Sequence, residues 1–171
     1  MRSLLLALLV AMGGCAASTE IPGVPTRALA FRAQDLEGRT VTFGELRGRI
    51  VLVTFLYTWA DPALYEVPRF VRLAERHQAE PFSIVAIVLD ETSETARIFR
   101  DSFEIPYSVW RVEDRSRFTG PEGPFGIVDT VPTSFLVDRD GRIVARMLGT
   151  WPPEIHERAI MDLLASDRSS D

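Results

Sequence analysis

Two apolar runs constrain this chain more than any other feature. Residues 50–57 read Ile-Val-Leu-Val-Thr-Phe-Leu-Tyr, and residues 83–89 read Ser-Ile-Val-Ala-Ile-Val-Leu. Runs this continuous and this rich in β-branched side chains belong to buried strands, so the fold must supply cover on both faces. Residues 62–78, between them, have helical character, with Leu64, Val67, Val71 and Ala74 on one side. Asp61-Pro62 reads as the helix start, because an aspartate accepts from unpaired backbone N–H groups and proline fits the first helical position. Pro68 is expected to kink this helix.

The remaining segments extend the pattern. Residues 31–35 and 40–43 flank Glu37-Gly38 and predict an N-terminal hairpin. Residues 93–103 predict a helix capped by Thr92 or Ser93, with Ala96, Phe99 and Phe103 inward, and residues 109–112 a short strand. Residues 113–126 end in Thr-Gly-Pro-Glu-Gly-Pro-Phe-Gly and predict an exposed loop. Residues 134–137 and 142–148 are strands joined across Asp138-Arg139-Asp140-Gly141, and residues 153–165 close the domain as a helix. This order predicts an α/β fold: a three-layer sandwich with a mixed central sheet and helices on both faces.

The N-terminus reads as an address and not as structure. Arg2 precedes an apolar run of about ten residues, well short of the ~20 needed to span a bilayer. Met12-Gly-Gly-Cys15 then resembles a bacterial lipobox, which implies lipidation of Cys15 and anchoring in a membrane. Simple secretion with cleavage after Ala17 is the other reading. The expected division is a signal peptide over 1–14, a lipidated cysteine and tether over 15–28, one domain over 29–166 and a polar tail over 167–171. Localisation to the cell envelope follows, facing periplasm or exterior.

Cys15 is the only cysteine, so the mature domain has no disulfide and no thiolate metal ligand. The net charge is −5, and the basic residues, all arginine, are scattered without a basic run, which argues against a nucleic-acid partner.

Several stretches in order resemble the thioredoxin-like superfamily, and most closely the TlpA/ResA-type envelope thiol–disulfide oxidoreductases. Residues 31–48 look like the family's N-terminal hairpin, and 50–55 like its first core strand. Trp59 matches the tryptophan before the active-site cysteines, Glu66 and Pro68 match positions in the following helix, and 131–144 (Val-Pro-Thr-Ser-Phe-Leu-Val-Asp-Arg-Asp-Gly-Arg-Ile-Val) is similar to the cis-proline strand and hairpin. Two departures matter. Ala60 and Ala63 stand where the family carries its cysteines, and the segment before Val131 is Gly/Pro-rich where the family has a helix. A methyl group can neither attack a disulfide nor resolve one. Leu56-Tyr57-Thr58 also resembles Sco-type copper chaperones, but those need two cysteines, as peroxiredoxins need one.

The resemblance implies a cis Val131–Pro132 bond and a Val131 backbone that pairs with an extended client strand, with Trp59 as a flat apolar contact. The expected groove is Trp59, Asp61, Val131 and Pro132. No catalytic residue, metal or cofactor is expected. Asp61 reads as a cap, Glu66 and Asp90 as separate acids that make no metal site, and His77 and His156 as solvated helix residues. The leading expectation is a redox-inactive, lipid-anchored domain that binds an envelope protein or peptide segment. An oxidoreductase accessory working with a cysteine-bearing partner and a structural surface lipoprotein are the alternatives.

Overall fold

The computed structural model describes residues 21–168 apart from 29 and 91, so the expected signal peptide, Cys15 and the last three residues lie outside the described residues. The elements are β1 (Arg32–Asp35), β2 (Thr40–Thr42), a 3₁₀ turn (Phe43–Leu46), β3 (Ile50–Leu56), α1 (Asp61–Arg76), β4 (Phe82–Val88), α2 (Ser93–Ser102), β5 (Ser108–Arg111), α3 (Arg115–Phe118), β6 (Thr133–Val137), β7 (Ile143–Leu148) and α4 (Pro153–Arg168). One seven-stranded sheet runs in the order β2-β1-β5-β4-β3-β6-β7. Its centre, β5-β4-β3, is parallel, and β6, β7 and the β1–β2 hairpin join antiparallel. The mixed sheet and its layers agree with the sequence expectation.

The two runs that define the fold sit side by side at the centre. β3 is buried along its whole length, and its alternate residues serve opposite faces. Ile50, Leu52 and Leu56 meet Val67, Phe70 and Leu73 of α1, Ala96 and Phe99 of α2, and Ile160 and Leu164 of α4. Val51, Val53 and Phe55 point the other way, into a cluster with Phe43, Trp110, Phe118, Phe125 and Phe135. The layers are therefore unequal. Three long helices cover one face, while the other is covered by a single-turn helix, the 3₁₀ turn and irregular chain.

That irregular chain corrects the expectation of an exposed loop over 113–126. Phe118, Gly123, Pro124, Phe125 and Gly126 are buried, and Phe125 packs within 5.0 Å of Phe135 and 5.5 Å of Phe55 between ring centroids. Ile21, Val24 and Ala28 pack against the same cluster, so this part of the expected tether is docked on the domain. A Cβ on Gly126, whose φ is +70°, would lie 2.3 Å from the Gly23 carbonyl oxygen, which is why glycine is needed there. α1 also departs from expectation: it buries Ala63, Glu66, Val67, Phe70 and Leu73, and Leu64 faces solvent.

Candidate functional site: a groove at the end of the central strands

The site forms where β3 ends and β6 begins. The antiparallel register pairs Phe55 with Thr133, so the residues after β3 lie beside those before β6. Tyr57 and Val131 pack against the same aromatic cluster, and the Val131–Pro132 bond is cis, as the resemblance implied. The amide and carbonyl of Val131 make no hydrogen bond among the described residues, whereas the Pro132 carbonyl accepts from the Gly149 N–H at 2.8 Å. One short stretch of backbone is thus free to pair, beside one that is already used.

The loop opposite is held from beneath. Thr58 is buried, and its amide and hydroxyl both donate to the buried Asp90 carboxylate, at 3.0 and 2.7 Å. A carboxylate in this position satisfies two donors that the end of β3 would otherwise leave unpaired. The next residue, Trp59, is turned out: it stacks on Tyr57 at 4.9 Å and is 72% exposed. In sequence Asp90 is only a separate acid after a strand, with no sign of this contact. The signal, an acid directly after a buried strand, is legible only once its partner 32 positions away is known.

Ala60 occupies the cap position of α1 and contributes no side-chain hydrogen bond. Asp61 is the first helical residue and does not cap, contrary to expectation. Its charge remains favourable near the positive end of the helix. Ala63 is buried against Leu56 and Val67. No thiol lies between Trp59 and Val67.

The far wall was not foreseen. Leu148 pairs with Thr133 and is 50% exposed; Trp151 is 38% exposed and its indole N–H donates to the Leu148 carbonyl at 2.8 Å. Trp151-Pro-Pro153 reads in sequence as a stiff connection. Its place at the groove follows from the β6–β7 pairing.

Both histidines correct the expectation of solvated helix residues. His77 is buried, faces Phe82 edge-on, and its Nε2 lies 3.2 Å from Glu157, which also accepts from Arg76 at 2.6 Å. His156 is 2% exposed, and burial lowers its pKa below the ordinary 6.5. Glu66 is likewise 2% exposed, and burial pushes its carboxyl up to about 7. Among the described residues no group of three or more His, Cys, Asp or Glu could hold a metal ion. A cleft of about 700 Å³ lies elsewhere, between the N-terminal hairpin and the 112–124 segment.

The chain is 29% identical over 124 residues to the thiol-disulfide oxidoreductase ResA of Bacillus thuringiensis, covering 72% of this chain and 69% of the relative. It is 28% identical over 160 residues to ResA of Geobacillus thermodenitrificans, covering 90% and 89%. A thiol:disulfide interchange protein of the thioredoxin family from Chlorobium tepidum superposes with a TM-score of 0.70 at 24% identity, over 82% of this chain and 97% of that one. Those relatives are named as thiol–disulfide enzymes, while this chain holds a single cysteine and therefore no Cys-x-x-Cys pair. Residues 24–146 match the AhpC/TSA family, and the chain belongs to that family, on a thioredoxin-like fold.

Proposed function

We propose that this protein is a lipid-anchored, redox-inactive member of its family that captures an extended segment of a partner protein at the cell envelope. One observation carries the reading: the unpaired Val131 backbone packs on the same cluster as Tyr57, on which the outward-facing Trp59 stacks, at a surface that has no sulfur. Backbone pairing supplies affinity for any extended chain, and the exposed indoles of Trp59 and Trp151 supply apolar contacts. With no thiolate, the encounter stays non-covalent and reversible.

The test is photo-crosslinking in the native envelope from a reactive residue placed at Asp61, with exposed Arg158 on α4 as the control. A discrete product from position 61 alone is expected, and Val131→Asp is expected to abolish it while leaving the fold intact. Equal products from both positions, or capture unchanged by Val131→Asp, would sink the groove. Purified protein that reduced a disulfide substrate above background would return it to the oxidoreductases of its family.

A further inference from the structure

The contact between α1, α4 and the 149–152 turn buries two ionisable side chains, Glu66 and His156, without giving them partners. Neither oxygen of Glu66, neither ring nitrogen of His156 and not the hydroxyl of Tyr107 has a hydrogen-bond partner. Glu66 faces the backbone amide of Trp151 without closing a hydrogen bond, and His156 faces the Pro152 carbonyl and meets the Phe70 ring at 5.3 Å. Tyr107 lies close enough for the Glu66 charge to help raise its pKa, after burial. Arg69, on the same helix, acts on both Glu66 and His156. Arg69 lines an open cleft with Arg72, Arg76, Glu154 and Glu157 at the outer edge of the helix pair.

Buried polar groups are normally satisfied, and two unsatisfied ones in one contact call for an account. A neutral carboxyl tolerates such a place far better than a carboxylate, which needs water or several donors. The two sides of the contact differ in how firmly they are held. α1 is fixed by Val67, Phe70 and Leu73 in the core, whereas Thr150, Trp151 and Pro152 are exposed. Charging Glu66 therefore moves the turn and not the helix. The turn in its own way reaches the groove, through Gly149 to the Pro132 carbonyl and through the Trp151 indole to Leu148.

We propose that Glu66 is a proton-operated latch: neutral, it lets the 149–152 turn close on α1; ionised, it draws in water and lifts the turn, shifting Leu148 and Trp151 at the groove wall. The latch stands on the α1–α4 contact alone; that it tunes partner capture rests on the groove reading above. Burial sets its working range, because the Glu66 carboxyl is pushed up to about 7.

The test needs no partner, so it succeeds or fails independently of the groove. The indole N–H resonances of Trp59, Trp110 and Trp151 are followed by NMR in the purified protein from about pH 5.5 to about pH 8.5, a range that brackets a carboxyl titrating near neutrality. The Trp151 signal, assigned by its loss in Trp151→Phe, is expected to move with one midpoint near 7 while that of buried Trp110 stays put. Glu66→Gln is expected to abolish the movement and His156→Gln to keep it, with the Trp110 signal reporting that each variant is folded. A Trp151 signal that does not move in the unaltered protein would overturn the latch, as would a transition that survives Glu66→Gln.

Discussion

Thr58 and Trp59 are adjacent and have opposite duties. Thr58 turns inward to Asp90 and Trp59 turns outward to solvent, from the two central positions of a turn that the Ala60 N–H closes on the Tyr57 carbonyl. Removing the Thr58 hydroxyl leaves a buried carboxylate short of a donor. Thr58→Val is therefore expected to cost about 1.5–3 kcal/mol, read as a lowered urea midpoint with unchanged slope. Trp59→Ser removes only a stacked pair at the surface and is expected to cost about 1 kcal/mol or less while weakening crosslinking from position 61. If the two variants were equally destabilised, the assignment of one to support and the other to contact would be wrong.

Two elements defeat simple pattern reading, each for an identifiable reason. In α1 the buried face runs through Ala63, Glu66, Val67, Phe70 and Leu73, about one residue out of phase with the apolar stripe expected from Leu64, Val67, Val71 and Ala74. A glutamate on that face disqualifies it to any reading that treats charge as a mark of solvent. Leu64→Ser is expected to change stability by no more than about 0.5 kcal/mol, since the side chain is outside the core. The 113–126 segment misleads in the opposite sense, because its glycines and prolines serve close packing as well as turning. Gly123 and Gly126 each bring backbone against backbone where a Cβ would not fit. Phe125 is fully buried against Phe55 of β3 and Phe135 of β6, so Phe125→Ala is expected to cost about 3–5 kcal/mol, measured by equilibrium unfolding.

At the scale of the whole molecule, two buried groups shape stability against pH with opposite signs. The unfolded Glu66 ionises at its ordinary 4.5 while the folded one stays protonated until about 7, so stability falls as pH rises through that window. The unfolded His156 takes up its proton at 6.5 and the folded one only below that, so stability falls as pH drops beneath 6.5. Just below 6.5 the two slopes oppose each other, so the profile is expected to be flatter there than either group alone would make it, with a further loss as pH rises towards 7. Glu157, held low by the Arg76 hydrogen bond, adds to the loss below 4.5. Glu66→Gln leaves His156 unopposed, so denaturation midpoints are expected to climb towards pH 6.5, by up to about 1.4 kcal/mol per pH unit. Parallel profiles for the variant and the unaltered protein would show that Glu66 ionises normally in the folded state.

What the sequence determines here is whatever depends on neighbours along the chain. The two central strands, both hairpins, a cap at Thr92 or Ser93, the single cysteine and the alanines at 60 and 63 are all local facts, and pattern and residue chemistry are enough to read them. What the tertiary structure decides is whatever depends on pairs far apart in sequence. Thr58 meets Asp90, Tyr57 joins Val131 on one cluster, Trp151 faces Glu66, and both histidines go inside, only because the sheet order brings β3 between β4 and β6 and lays α4 against α1. Local propensity carries no information about such encounters; burial and long-range hydrogen bonding select them when the core closes.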